Sequence, residues 1–299
     1  MTAIEVSELR KVYGDLVAVD SVSFAVQRGE IFGILGPNGA GKTTTLEMVE
    51  GLRKPDGGQC LLLGERSWPR NQALLPRIGV QLQASAFFER LTAREQIRTF
   101  AALYGVGHDR ADAWLERVGM TDKAGTKSEE LSGGQLQRLA LACALVHEPE
   151  VVFLDEPTAA IDPQARRNLW DLLRSLNGEG RTLVLTTHYL DEAEALCDRV
   201  AIMDRGRILQ LDTPAALVRG LDAPVRIMVA PHQLTVDEAR SLEHVDDVHD
   251  DGSAVVLSTR QPSAVLTRLA EQGALEGLQV KAATLEDVFL NLTGREYRA

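Results

Sequence analysis

Apolar positions alternate loosely through Ile4, Val6 and Leu9, and Val17–Ala25 is rich in Val, Ser and Phe, so the first 30 residues read as antiparallel strands. Ile31–Leu35 is a continuous apolar run with Gly36 just beyond it, the pattern of a strand buried on both faces. A glycine-rich turn follows, and then Thr43–Glu50 suits a helix. From about Phe87 to Leu145 the period lengthens. Ala93–Tyr104 and Asp109–Val118 have helical spacing, with Gly105 and Gly107 between them. Val151–Leu154 and Thr182–Thr186 return to short apolar strands, and Ala201–Met203 with Ile208–Leu209 predicts a hairpin around Arg205-Gly206.

The pattern changes near Thr213–Pro224, which predicts a boundary there. Beyond it the strand-like runs are Val225–Val229, Ala254–Ser258 and Leu278–Ala282, and the helical ones are Val236–Glu243, Ser263–Glu271 and Thr284–Leu292. The last helix opens with Thr284 and Asp287 at capping-box spacing. The expected division is a large α/β domain over 1–220, with a helical subdomain at about 84–147, and a small α+β domain over 221–299.

With 299 residues, 44% hydrophobic and 25% charged, the chain has ordinary globular composition, which excludes disordered, collagen-like and coiled-coil readings. Cys60, Cys143 and Cys197 stand far apart without paired spacing, which argues for a reducing compartment and against a disulfide framework. The net charge of −11 argues against coating nucleic acid or an anionic membrane by charge alone. The start MTAIEVSELR is not a secretory signal, and no uncharged apolar run approaches the ~18–20 residues that span a bilayer. A soluble cytosolic chain is expected, held at any membrane by another polypeptide.

Three motifs carry chemistry. Gly36-Pro37-Asn38-Gly39-Ala40-Gly41-Lys42-Thr43 fits G-x-x-x-x-G-K-[ST] between a strand and a helix. Its glycines let successive N–H groups turn towards a phosphate, and the helix adds its positive end. Lys42 is placed to reach the β- and γ-phosphates and Thr43 to ligate Mg²⁺, with Thr44 next in the helix. Val151–Leu154 then ends in Asp155-Glu156: the first acid can hold Mg²⁺ and the second can polarise an attacking water. Leu131-Ser132-Gly133-Gly134-Gln135 opens a helix with a hydroxyl and two glycines, a second site for an anion.

LSGGQ between a phosphate loop and an apolar strand ending in Asp-Glu resembles the ATP-binding cassette (ABC) transporter ATPases over about residues 1–215. The resemblance implies a P-loop NTPase cassette with a mixed sheet core, an antiparallel β subdomain and an α-helical subdomain. It implies that Tyr13 stacks on adenine, although a strand tyrosine also serves packing. It further implies that Gln83 contacts Mg²⁺ and links to the transport partner, that His188 contacts the γ-phosphate, and that Asp162 lies in a loop crossing a dimer interface. In that loop Ala159 and Ile161 depart from the commoner Ser-x-Leu-Asp, while Asp162 remains.

By the same resemblance, ATP would lie between Gly36–Thr43 of one subunit and Ser132–Gln135 of a second copy, with Glu156 as general base. A short helix of a separate membrane permease would dock near Ala84–Leu91, where Phe87 and Phe88 are either a docking surface or core. The tail Leu285–Arg295 resembles the ending of daunorubicin-resistance-type exporter ATPases. An importer ATPase with a regulatory domain, or a non-transport ABC protein acting on ribosomes or DNA, is the alternative. The single cassette, the short span Thr43–Glu130 and the missing basic tract all count against the latter. The acidic cluster Glu243, Asp246, Asp247, Asp250 and Asp251 reads as a solvated loop rather than a metal site.

Overall fold

The computed structural model describes residues 1–81, 87–159 and 161–294. In chain order, β1 (Thr2–Tyr13), β2 (Leu16–Gln27) and β3 (Ile31–Leu35) lead into α1 (Lys42–Val49), followed by β4 (Gly57–Leu62), β5 (Glu65–Arg66) and β6 (Ile78–Gln81). Three helices come next, α2 (Ala93–Leu103), α3 (His108–Arg117) and α4 (Gly133–Leu145). The chain then alternates through β7 (Val151–Asp155), α5 (Pro163–Gly178), β8 (Thr182–Thr187), α6 (Leu190–Leu196), β9 (Arg199–Asp204) and β10 (Arg207–Asp212).

Two sheets share one core. β3, β6, β7, β8 and β9 are parallel and β10 is an antiparallel edge, in the order β10-β9-β3-β8-β7-β6. Every residue of β3, β7 and β8 is buried, which is why their sequences are unbroken apolar runs rather than alternating ones. β1, β2, β4 and β5 form an antiparallel sheet whose inner side chains, among them Ile4, Val6 and Phe24, meet Phe32, Leu46 and Met48. Phe24 stacks on Phe32 with ring centroids 5.1 Å apart. β9 and β10 are joined by Arg205 (φ 47°) and Gly206 (φ 79°), the two left-handed residues of a tight hairpin turn, as the sequence predicts. β4 and β5 were not legible beforehand, because only their pairing with β1 gives Gly57–Leu62 a face to bury.

The chain divides into two compact units, with the break between Pro214 and Ala215. α7 (Pro214–Gly220) falls at that break. The second unit contains β11 (Val225–Val229), α8 (Val236–Ser241), β12 (Asp247–Asp250), β13 (Val255–Thr259), α9 (Pro262–Glu271), β14 (Gln279–Lys281) and α10 (Leu285–Thr293). Its βαββαβ order and its antiparallel sheet β12-β13-β11-β14 give the ferredoxin-like arrangement. Ile227, Val229, Leu257, Val265 and Leu269 fill its own core. The acidic segment expected as a loop is instead partly a strand: Asp247–Asp250 pairs with β13 and buries Val248 alone. One apolar residue among acids gives no readable alternation, and the exposed carboxylates keep this edge from pairing further. Among the described residues no cluster of His, Cys, Asp and Glu could hold a metal ion, and no helix is long and apolar enough to cross a membrane.

Candidate functional site

The order β3-β8-β7 brings three carboxyl ends side by side. Residues 36–41 leave β3, Asp155 and Glu156 end β7, and His188 follows β8. Neighbouring strands lie about 4.8 Å apart, so side chains from all three ends converge.

Backbone sterics fix the phosphate loop. Gly41 has φ 102°, and a Cβ there would lie 2.4 Å from Ala18 O. A Cβ on Gly36 would lie 2.2 Å from Met203 O. The loop is tied down by Gly36 N–H donating to Thr187 O (3.3 Å) and Gly206 N–H donating to Ala40 O (2.9 Å). Asn38 and Gly39 face solvent at its tip, Pro37 is half-buried, and Thr44 sits part-exposed in the first turn of α1.

Lys42 is buried, and its ammonium donates to Gly36 O at 2.8 Å and Pro37 O at 3.2 Å. Its Nζ lies 3.3 Å from Glu156 Oε1. Burial pulls the Lys42 pKa below its usual value, and Glu156 opposes that pull. Thr43 Oγ1 donates to Asp155 Oδ1 (3.2 Å), and Thr186 Oγ1 also donates to Asp155. Burial raises the Asp155 carboxyl, with the Thr186 and Thr43 hydroxyls pulling the other way. The Glu156 N–H donates to Thr186 Oγ1 at 3.0 Å, and Glu156 itself holds φ 49°, an uncommon conformation outside glycine. His188 Nδ1 stands 3.0 Å from Glu156 Oε2, and the His188 ring rests on Tyr189, centroids 4.1 Å apart, which in turn lies under the Arg166 guanidinium. Lys42, Thr43, Asp155, Glu156 and His188 therefore form one cluster of polar oxygens, an ammonium and an imidazole around the loop, an arrangement suited to phosphate chemistry.

Thr186 was not singled out in the sequence, yet it positions both acids. The only signal was a hydroxyl at the polar end of an apolar strand. Gln137 is a second such residue, its Nε2 donating to Glu156 O (3.4 Å).

The other expected positions lie apart from this cluster. Ser132 caps α4: its Oγ accepts from Gln135 N (3.4 Å) while Gln135 Oε1 accepts from Ser132 N (2.9 Å). Ser132 and Gly133 are exposed, Gly134 and Gln135 half-buried, and a Cβ on Gly134 would touch Ile161 at 3.4 Å. Asp162 caps α5, accepting from Ala165 N (2.9 Å) and Gln164 N (3.0 Å), and these N–H groups hold its carboxyl below the usual range. Tyr13 closes β1 and is 40% exposed, and Lys11 Nζ and the Arg53 guanidinium each lie 5.5 Å from its ring centroid. Gln83 lies outside the described residues. Phe87 and Phe88 differ: Phe88 is 61% exposed, while Phe87 is half-buried and lines a groove of about 380 Å³ between the end of α1, β6, α2 and α4.

A model of the family described as ABC transporter matches residues 19–159. The Nod factor export ATP-binding protein I of Burkholderia lata is 40% identical over 98% of this chain and 97% of its own length. The linearmycin resistance ATP-binding protein LnrL of Bacillus subtilis is 36% identical over 99% of both chains. Among solved structures, the ATP-binding cassette MJ0796 in a dimeric post-hydrolysis state bound to ADP and Pi superposes with a TM-score of 0.65 at 27% identity, covering 70% of this chain and 98% of that one. The ADP conformation of the ATP-binding cassette MJ1267 superposes with a TM-score of 0.65 at 24% identity, covering 71% and 91%, a likeness of fold.

Proposed function

This chain belongs to the ATP-binding proteins of the ABC transporter family, and we propose that it is the ATP-hydrolysing subunit of an exporter whose membrane-spanning part is a separate permease. The observation that carries the export reading is the near full-length likeness to the Nod factor export and linearmycin resistance proteins, which includes the second unit as well as the cassette. Drugs, lipids or similar hydrophobic compounds are the class of cargo that fits. The site of action is the cytoplasmic face of a membrane, where the chain is held peripherally by the permease.

In this reading ATP binds and is hydrolysed with Gly36–Gly41 wrapping the phosphates in backbone N–H groups and Lys42 turning its ammonium from Glu156 towards the β- and γ-oxygens. Tyr13 stacks on the adenine. Glu156, released from Lys42, takes the proton of the attacking water, and His188 beside it contacts the γ-phosphate. Thr43 and Asp155 present hydroxyl and carboxylate oxygens 3.2 Å apart, the hard donors magnesium takes, and with Gln83 they would hold Mg²⁺. When bound, the ion supplies charge neutralisation on the phosphates.

Ser132–Gln135 and Asp162 serve a second copy of the chain. The exposed, capped N-terminus of α4 offers N–H donors and a positive helix end to an anion presented from outside its own subunit. ATP thus closes a homodimer and hydrolysis releases it. Residues 221–299 form an accessory domain, and the groove at Phe87 receives a cytoplasmic helix of the permease.

Purification of the tagged chain from native membranes in mild detergent tests this reading. The expected result is stoichiometric recovery of a multi-spanning membrane protein without a periplasmic binding protein. Recovery with ribosomes and no membrane protein would overturn it.

A further inference from the structure

Behind the phosphate-loop cluster lies a buried acid that the hydrolysis steps leave unused. Glu192 is in α6, shortly after His188, and is 0% exposed. Its Oε1 accepts from Trp170 Nε1 of α5 at 3.2 Å. Burial raises the carboxyl, while the hydroxyls of Thr187 and Thr158 and the Trp170 indole pull the other way, so all three groups gather round it. These partners belong to three segments that meet at the site. Thr158 is in the turn after β7, where Ala159 N–H donates to Glu156 O (3.1 Å). Thr187 ends β8 immediately before His188, and its Oγ1 accepts from Tyr189 N–H (2.9 Å). Trp170 lies on α5, the helix capped by Asp162. Thr158 Oγ1 and Glu192 Oε2 are both sealed from solvent, and among the described residues neither makes a hydrogen bond. Almost all buried polar groups are paired, so a small approach of this turn to Glu192 gives each of the two atoms its partner.

We propose that Glu192 is a positioning residue for hydrolysis, tying the turn after Glu156 to the segment that bears His188. This rests on the roles given to Glu156 and His188 above. The two side chains it aligns stand close, His188 Nδ1 being 3.0 Å from Glu156 Oε2. Glu156 takes the proton of the attacking water and His188 contacts the γ-phosphate, so a misplacement of about 1 Å between them costs rate. Affinity rests instead on Gly36–Lys42, which belong to another segment. Glu192 acts through Thr158 and Thr187 rather than on the nucleotide. A carboxyl suits the task better than an apolar side chain, because it accepts from an indole and from hydroxyls in fixed directions.

Steady-state ATP hydrolysis and ATP titration of the full chain test this. Glu192→Ala removes all three contacts and should lower kcat at least about tenfold, with KM and the Kd for ATP within about threefold of wild type. Glu192→Gln keeps an acceptor for Trp170 and an amide for the hydroxyls, and should restore the rate to within about threefold of wild type. Thr158→Val removes one hydroxyl at nearly constant volume and should lower kcat about threefold or more. Adding it to Glu192→Ala should cost nothing further, since the contact is already gone. Thr158→Val also reads the same contact if Glu192→Ala does not fold. Glu156→Gln, measured in parallel, reports on the hydrolysis reading itself. An inactive Glu156→Gln beside a Glu192→Ala within twofold of wild type would overturn the role of Glu192 and leave Glu156 as the base. A Glu156→Gln that hydrolyses as wild type does would overturn the base, and this proposal with it. Loss of kcat and ATP affinity in step, or additive effects of Glu192→Ala and Thr158→Val, would make Glu192 a packing residue and contradict the proposal.

Discussion

Lys42 and Glu156 sit 3.3 Å apart at the head of the phosphate loop, so the carboxylate opposes the pull of burial on the Lys42 ammonium. Glu50, a few residues along α1, shows the contrary case. Burial, with Asp155 and Glu47 nearby, pushes its carboxyl up to about 8. In an unfolded chain a glutamate titrates near 4.3. Over the interval between, the folded protein holds a proton the unfolded chain has lost. The contribution is therefore fully present below the unfolded value and is lost as pH rises towards about 8. Glu50→Gln removes this dependence. Its stability relative to wild type should grow by up to about 1.4 kcal/mol per pH unit across that interval, as read by denaturant unfolding at a series of pH values. Equal pH profiles for the two proteins would contradict this. Nothing in the sequence marks Glu50, because an acid ending a short helix reads as an ordinary solvated one. Its isolation comes from β6, α2 and α4, all distant in the chain.

At the scale of elements, the loop between β3 and α1 is where local sequence and tertiary structure agree most closely. The glycine pattern is legible because two of its positions have no room for a side chain, one facing Ala18 O and one facing Met203 O. Gly41→Ala combines a positive φ of 102° with a contact of 2.4 Å to backbone. It should cost about 2 kcal/mol or more in stability and weaken nucleotide binding, both measurable by thermal unfolding with and without ATP. An unchanged midpoint would show that the loop can relax. The strands β3, β7 and β8 were equally legible, since burial on both faces writes an unbroken apolar run. β12 and β4 were not. Their residues carry little pattern of their own and become strands through partners far away in sequence. The caps at Ser132 and Asp162 are local: side chain to backbone bonds within the first turns of α4 and α5 hold both residues.

On the scale of the whole molecule, the cassette brings Lys42, Asp155, Glu156 and His188 together but leaves Ser132 and Gly133 facing solvent, with Gly134 and Gln135 half-buried. A phosphate held by Gly36–Thr43 would be covered on one side only. In the proposed reading a second copy completes it, and this is how ATP would couple chemistry to movement of a permease. The similar cassette MJ0796 is dimeric in its post-hydrolysis state bound to ADP and Pi. Sedimentation of the Glu156→Gln chain with Mg-ATP tests the claim most directly. Blocking hydrolysis should trap the closed state, so ATP should convert the 32.6 kDa chain into a species of about twice that mass, with phosphate release reduced by about a hundredfold or more. A nucleotide-saturated chain that stays at 32.6 kDa, or one that hydrolyses ATP as wild type does, would contradict the account.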